Sequence, residues 1–234
     1  MKINSILTSI IIAAGLLALG LTIRSGLCSF TDNQRSVDVR GLAEREVPAN
    51  KVTWPILFRL AGDNLPTVYS NVAETNRKIE QFLTQNGVEK SEISVGAPKM
   101  EDQINNYNYK PGITPRYAIT SVVTISSGKV DLVRNLINRQ GELLSQGIPV
   151  ASNEYGNSVT YEFTGLNDIK PEMIAEATKA AREAADKFAE DSSSRLGKIK
   201  TARQGQFSIE DRDQYTPYIK RVRVVTSLTY LLQD

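Results

Sequence analysis

The chain has 234 residues, with 28 Lys and Arg against 26 Asp and Glu, one Cys, no His and 41% hydrophobic residues. That length and apolar content suit one domain, or two small ones, with a real core. Without histidine, Ser-His-Asp and Cys-His catalysis and two-His metal sites are excluded; a single cysteine excludes an internal disulfide, a thiolate zinc site and an iron-sulfur cluster.

From Ile3 to Ile23 no residue is charged, and a helix of that length rises roughly 30 Å, enough to cross the hydrocarbon core of a bilayer. Lys2 and Arg24 flank it evenly, so the flanking charges do not set an orientation. Three readings stand: an uncleaved signal anchor, which the length of the span favours, a signal peptide cleaved at Ala18-Leu19-Gly20, and a lipoprotein signal ending at Cys28. Leu27 serves the last poorly, because a small residue is wanted there. All three place the remainder outside the cytoplasm, in keeping with the near absence of cysteine. The expected arrangement is an inner-membrane anchor with the folded part in the periplasm; the alternative is release into the periplasm after cleavage. Cys28 is then an inert thiol or an intermolecular disulfide between two anchored chains.

Residues 1–35 are therefore read as anchor or signal segment with a short linker, and 36–234 as the folded part, with subdomains expected at about 36–147 and 148–234. Lys2, Arg24, Arg35 and Asp32 are the only charges in the first segment, so the folded part has equal numbers of basic and acidic groups. No nucleic-acid footprint is expected of such a neutral surface. The cluster Lys220-Arg221-Val222-Arg223 reads as the solvated start of a strand.

Ser36 to Gly62 reads as two strands joined near Pro48-Ala49-Asn50-Lys51, with Pro55 expected at an edge or bulge because it has no N–H to donate. Asn64 caps a helix with Pro66 in its first turn, an apolar face of Val68, Val72, Ile79, Phe82 and Leu83, and Gly87 at its end. Strands follow at about Ile93–Asp102 and Tyr117–Ser126, then a helix over Lys129–Gln146 with Val130, Val133, Ile137 and Leu144 toward the core and Gly141 weakening its middle. A strand at about Ser158–Thr164 leads to an alanine-rich helix over Pro171–Leu196. Strands at Ile199 to about Ile209 and Val222–Leu232 complete the chain. The expected fold is α+β, with mixed or antiparallel sheets and three main helices. Helix-strand-strand units recur at 65–126 and 171–232, which raises a suspicion of duplication without visible sequence identity.

Three features invite a functional reading. Ala177, Ala181 and Ala185 form a smooth stripe that packs either on the protein's own sheet or, as a candidate oligomer interface, on another subunit. Asn105, Asn106, Tyr107, Asn108 and Tyr109 lie between two strands, and Tyr107 and Tyr109 make this the candidate recognition loop. The acidic clusters are Glu101-Asp102, Glu190-Asp191 and Glu210-Asp211 with Asp213; the last begins like a calcium loop but lacks the later Gly and Glu, and reads as a solvated turn. There is no GxGxxG or Walker A sequence, and Gly205 reads as a strand bulge.

Several stretches together resemble the SIMPL-domain family of bacterial envelope proteins. They are Val37-Asp38-Val39-Arg40-Gly41-Leu42-Ala43-Glu44-Arg45-Glu46-Val47 with Trp54-Pro55-Ile56, Arg116-Tyr117-Ala118-Ile119-Thr120, the Ala-rich helix running into Leu196-Gly197-Lys198-Ile199, and Val222-Arg223-Val224-Val225-Thr226. The resemblance implies an α+β fold, an envelope location, homo-oligomeric assembly in some members and, for some relatives, a link to oxidative-stress defence. It brings no catalytic residue set. Asn50, where an Asp is common, and Arg116, where a Gly often precedes the Tyr, depart from the family pattern.

No catalytic, cofactor-binding or metal-binding residue and no cofactor is expected. The reading is a non-enzymatic, membrane-anchored envelope protein acting through self-assembly and protein contacts, with a homo-oligomer as the expected state and a stress-defence role as the setting. The alternative is a ligand-binding module for an envelope glycan or peptide. A carboxylate-dependent hydrolase ranks third, since the residue types most used in catalysis are missing.

Overall fold

Asn64 caps the helix that follows it: its Oδ1 accepts the Thr67 N–H at 3.0 Å, and Pro66 sits where no helical donor is needed. This is α2 (Leu65–Gln85) of the computed structural model, which describes residues 12–23, 35–151 and 158–233. Val68, Val72, Ile79, Phe82 and Leu83, the apolar face expected from the sequence, are all buried, and Gly87 leaves the helix at φ 92°. The strands are β1 (Ser36–Pro48), β2 (Lys51–Gly62), β3 (Ile93–Val95), β4 (Lys99–Asp102), β5 (Tyr117–Ser127), β6 (Val150–Ala151), β7 (Thr160–Glu162), β8 (Arg195–Gln204), β9 (Ser208–Asp211) and β10 (Ile219–Gln233). The other helices are α1 (residues 12–23), α3 (Val130–Asn138), α4 (Gly141–Ser145) and α5 (Leu166–Asp191). The fold is α+β, with antiparallel sheets.

The chain divides into two compact units. One comprises Glu46–Leu166 and Ile209–Arg221; the other comprises the described residues up to Arg45, Asn167–Ser208 and those from Val222. In the first, β2 pairs along its whole length with β5, from Val52 opposite Ser127 to Gly62 opposite Tyr117. β3 and β4 share the far side of β5, and β6 and β7 the far side of β2. Val52, Trp54, Ile56 and Phe58 of β2 meet Ile119, Val123 and Ile125 of β5 and the buried faces of α2 and α3 in one core. Burial of each such side chain contributes roughly 1.5–3 kcal/mol.

Pro55 lies within this central strand, opposite Thr124, not at an edge. On the other side of β2, β7 pairs with Lys51–Thr53 and β6 with Leu57 and Phe58. Among the described residues nothing pairs with 54–56 there, so the proline occupies an interruption of that ladder. The helix expected over Lys129–Gln146 is two helices, α3 and α4, parted at Arg139 and Gln140. The break changes the phase of the second: Leu143 is buried, and Leu144, expected in the core, is 53% exposed.

In the second unit α5 begins five residues earlier than expected, so that Pro171 falls inside its first turns, and it ends at Asp191; Leu196 belongs to β8. Met173, Ala177, Ala181, Ala185 and Ala189 form its buried side. Small side chains there let the helix backbone approach β1. A Cβ on Gly41 would lie 1.8 Å from the Ala177 carbonyl oxygen and 2.4 Å from the Ala181 nitrogen, so only glycine fits. Val39, Leu228 and Tyr230 complete this core.

The four-stranded sheet has the order β1-β10-β8, with β9 also on β10; the larger sheet contains β2-β5-β3, with β4 also on β5. Each therefore follows one plan: a strand, a helix, an outer strand in two pieces, and a long closing strand between them. The recurrence of helix and two strands is thus real at the level of topology. Lys220, expected in solvent, is buried and ion-paired with Asp211, which satisfies its charge at the start of β10.

Candidate functional site

The loop between β4 and β5 is built from its base upward. The Asp102 carboxylate accepts Nε and Nη2 of Arg116 at 3.1 and 2.9 Å and the Ile104 N–H at 3.1 Å, and the Arg116 N–H donates to Asp63 Oδ1 at 3.0 Å. The Gln103 N–H closes the neck on the Arg116 carbonyl at 2.7 Å. Arg116 also stacks over the Tyr117 ring at 4.9 Å. The guanidinium beside it holds the Asp102 carboxyl below the usual carboxylate range, and Arg116 is raised in turn.

Above the neck, a 3-10 turn over Gln103–Asn105 is followed by local turns: Asn106 Oδ1 accepts the Asn108 N–H, and Lys110 and Thr114 bond each other. Tyr107 is 100% exposed, and Tyr109 is half-buried. The structure thus presents Tyr107 to solvent and keeps Tyr109 lower, near Arg116.

A groove of about 400 Å³ lies beside this base, lined by Leu65, Pro66 and Tyr69 of α2, Pro98 and Met100 of the β4 segment, and Ile119 of β5 at its floor. Met100 stands opposite Ile119 in the β4–β5 ladder, and Tyr69 and Met100 are 58% and 49% exposed. No carboxylate, amine or guanidinium lines it. Its surface suits apolar contact, not proton transfer. The sequence showed the loop but not the groove; the one local signal is Met100 within the otherwise charged run Lys99-Met100-Glu101-Asp102.

The other candidates are placed as follows. Ala177, Ala181 and Ala185 are fully buried against the protein's own β1 and β10 residues. The stripe is used inside the chain, which leaves no accessible area on these three residues for another subunit. Five of these acidic side chains are tied to cations: Glu101 to Arg59, Glu190 and Asp191 to Lys187, Asp211 to Lys220 and Asp213 to Arg212. Asp213 also accepts from the Thr216 hydroxyl and two backbone N–H groups, and these bonds hold its carboxyl far below the usual range. Among the described residues no group of three His, Cys, Asp or Glu side chains could hold a metal ion. Asn50, one departure from the family pattern, accepts the Thr164 N–H and hydroxyl.

α1 is apolar and exposed over all of its described length, from Ile12 to Ile23. Among the described residues no helix is long and apolar enough to cross a membrane. Residues 3–11 of the expected span, and Cys28, lie outside the described residues.

Among curated proteins none matches the sequence. The profile of the SIMPL family, a protein of unknown function (DUF541), matches residues 37–226, from the start of β1 into β10. With most of its length inside that match, the chain belongs to the SIMPL family.

Proposed function

We propose that the chain is a non-enzymatic envelope protein, anchored by its N-terminal apolar segment with the folded part in the periplasm, that acts through protein contacts and assembles with copies of itself. The observation that carries the contact reading is the pinned loop beside the apolar groove. Tyr107, Ile113 and Ile104 are exposed at the loop, and Tyr69 and Met100 at the groove. Such clustered apolar area at a fixed position is what a partner surface offers. The anchor is supported by α1, whose Ile12, Leu16, Leu17, Leu19, Leu21 and Ile23 all stand more than half exposed and call for an apolar environment. A stress-defence role is the physiological setting that the family resemblance suggests.

The test is light scattering of the full-length protein in detergent across a wide concentration range, with fractionation of the membranes it came from. An assembly of more than one copy, found with the membranes, is expected. A monomer at every concentration overturns self-assembly, and a protein that washes into the soluble fraction overturns the anchor.

The amide and phenol groups of the same loop favour a second reading, binding of an envelope glycan or peptide. Replacing Tyr107 and Tyr109 by Ala without weakening the binding of any screened ligand overturns it.

A further inference from the structure

β8 is the outer strand of its sheet, and among the described residues no strand pairs with its far side. Every residue from Lys198 to Gln204 is exposed. Pairing with β10 sorts the side chains by face. Leu196, Ile199 and Ala202 stand opposite Leu232, Tyr230 and Leu228, on the side that α5 covers; Arg195, Thr201 and Arg203 stand opposite Gln233, Thr229 and Ser227, on the other. The Gly205 N–H donates to the Val225 carbonyl at 2.8 Å. By the alternation of an antiparallel ladder, the N–H groups of Ala202 and Gln204 point away from β10, toward the open edge.

The charge of this edge is one-sided. Arg195, Lys198, Lys200 and Arg203 fall within ten residues that contain no acid. Elsewhere cations such as Arg45, Arg59, Arg139 and Lys187 sit in ion pairs; among the described residues Arg195, Lys198 and Arg203 have none. Arg203 and Arg40 also line one depression of about 480 Å³ with Ser227, and Asp38, the acid in it, already accepts the Thr229 hydroxyl.

We propose that β8 is a docking edge for an extended segment of another protein in which acidic and apolar residues alternate. Added as a further strand, such a segment fills the free backbone groups, sets its acids toward Arg195 and Arg203, and lays its apolar residues beside Ile199 and Ala202. Pairing of β8 with β8 of a second copy would oppose cations to cations, which argues for an acidic partner instead. The proposal names a partner for the contact reading given above and rests on it.

The test uses the full-length protein in detergent and a labelled peptide of alternating Glu and Val. Binding is expected, weakening by about tenfold or more in the Lys198→Glu/Arg203→Glu variant and similarly with a peptide N-methylated at every residue, which has no N–H to give to the ladder. Equal binding of a Lys-Val peptide or of the N-methylated one overturns the proposal, as does no binding at all, in which case the cations serve to keep strands off the edge. A change in the assembly's mass in the charge-reversed variant also overturns it and assigns the edge to a second copy. Loss of the peptide site with the assembly intact leaves the contact reading standing; a strictly monomeric protein that binds the peptide separates the two the other way.

Discussion

A methyl group at position 41 has no room: it would meet the Ala177 carbonyl and the Ala181 backbone nitrogen, which cannot swing aside as a side-chain end can. Gly41→Ala therefore forces β1 and α5 apart. Its expected cost is about 3 kcal/mol, at the upper end of ordinary overpacking, read from the midpoint of urea unfolding. The glycine was visible in sequence only as part of a family motif, because its reason lies in a helix more than a hundred residues away. Asp213 gives a second test. Its folded-state value is depressed while its unfolded value is about 3.9, so its contribution is present above that pH and is lost as the pH falls below about 4 toward the folded value. Asp213→Asn should lower stability at pH 6 and narrow its gap to the wild type as the solution is acidified. A gap that stays constant in urea titrations between pH 6 and 2 would exclude this role. The aspartate was legible as part of an acidic turn, but the Arg212 and Thr216 bonds that fix it were not.

Secondary elements differ in how much of them local pattern determines. α2 was legible in its cap, its buried face and its end, since all three signals lie within the helix itself. The region after β5 was not, because apolar spacing alone does not say where a helix breaks. The break at Arg139 and Gln140 turns Leu143 inward and Leu144 outward, a difference that paired variants measure. Leu143→Ala is expected to cost roughly 2–5 kcal/mol and Leu144→Ala about 0.5 kcal/mol or less in chemical unfolding. An unbroken helix with Leu144 in the core would reverse the order. The alanine stripe of α5 was equally legible, and sequence left two partners open; β1 and β10 of the same chain take it up.

Across the molecule, the recurrence suspected from element order is matched by two sheets of one plan, each with a split outer strand beside a long closing one. Which sheet each strand joins was not legible: β1 and β2 are neighbours in sequence and belong to different sheets. The groove beside the loop was hidden for the same reason, since Tyr69, Met100 and Ile119 come from three elements. This plan has a consequence for the order in which the protein can be made. β2 finds its partner once residue 127 has left the ribosome, whereas Asp38 of β1 meets Thr229, 191 positions later. The nascent chain therefore carries an unpaired β1, and then an α5 with no sheet beneath its alanines, until β10 has been made. Loop closure over that span is slow, and the interval before β10 arrives is when this protein most needs a chaperone.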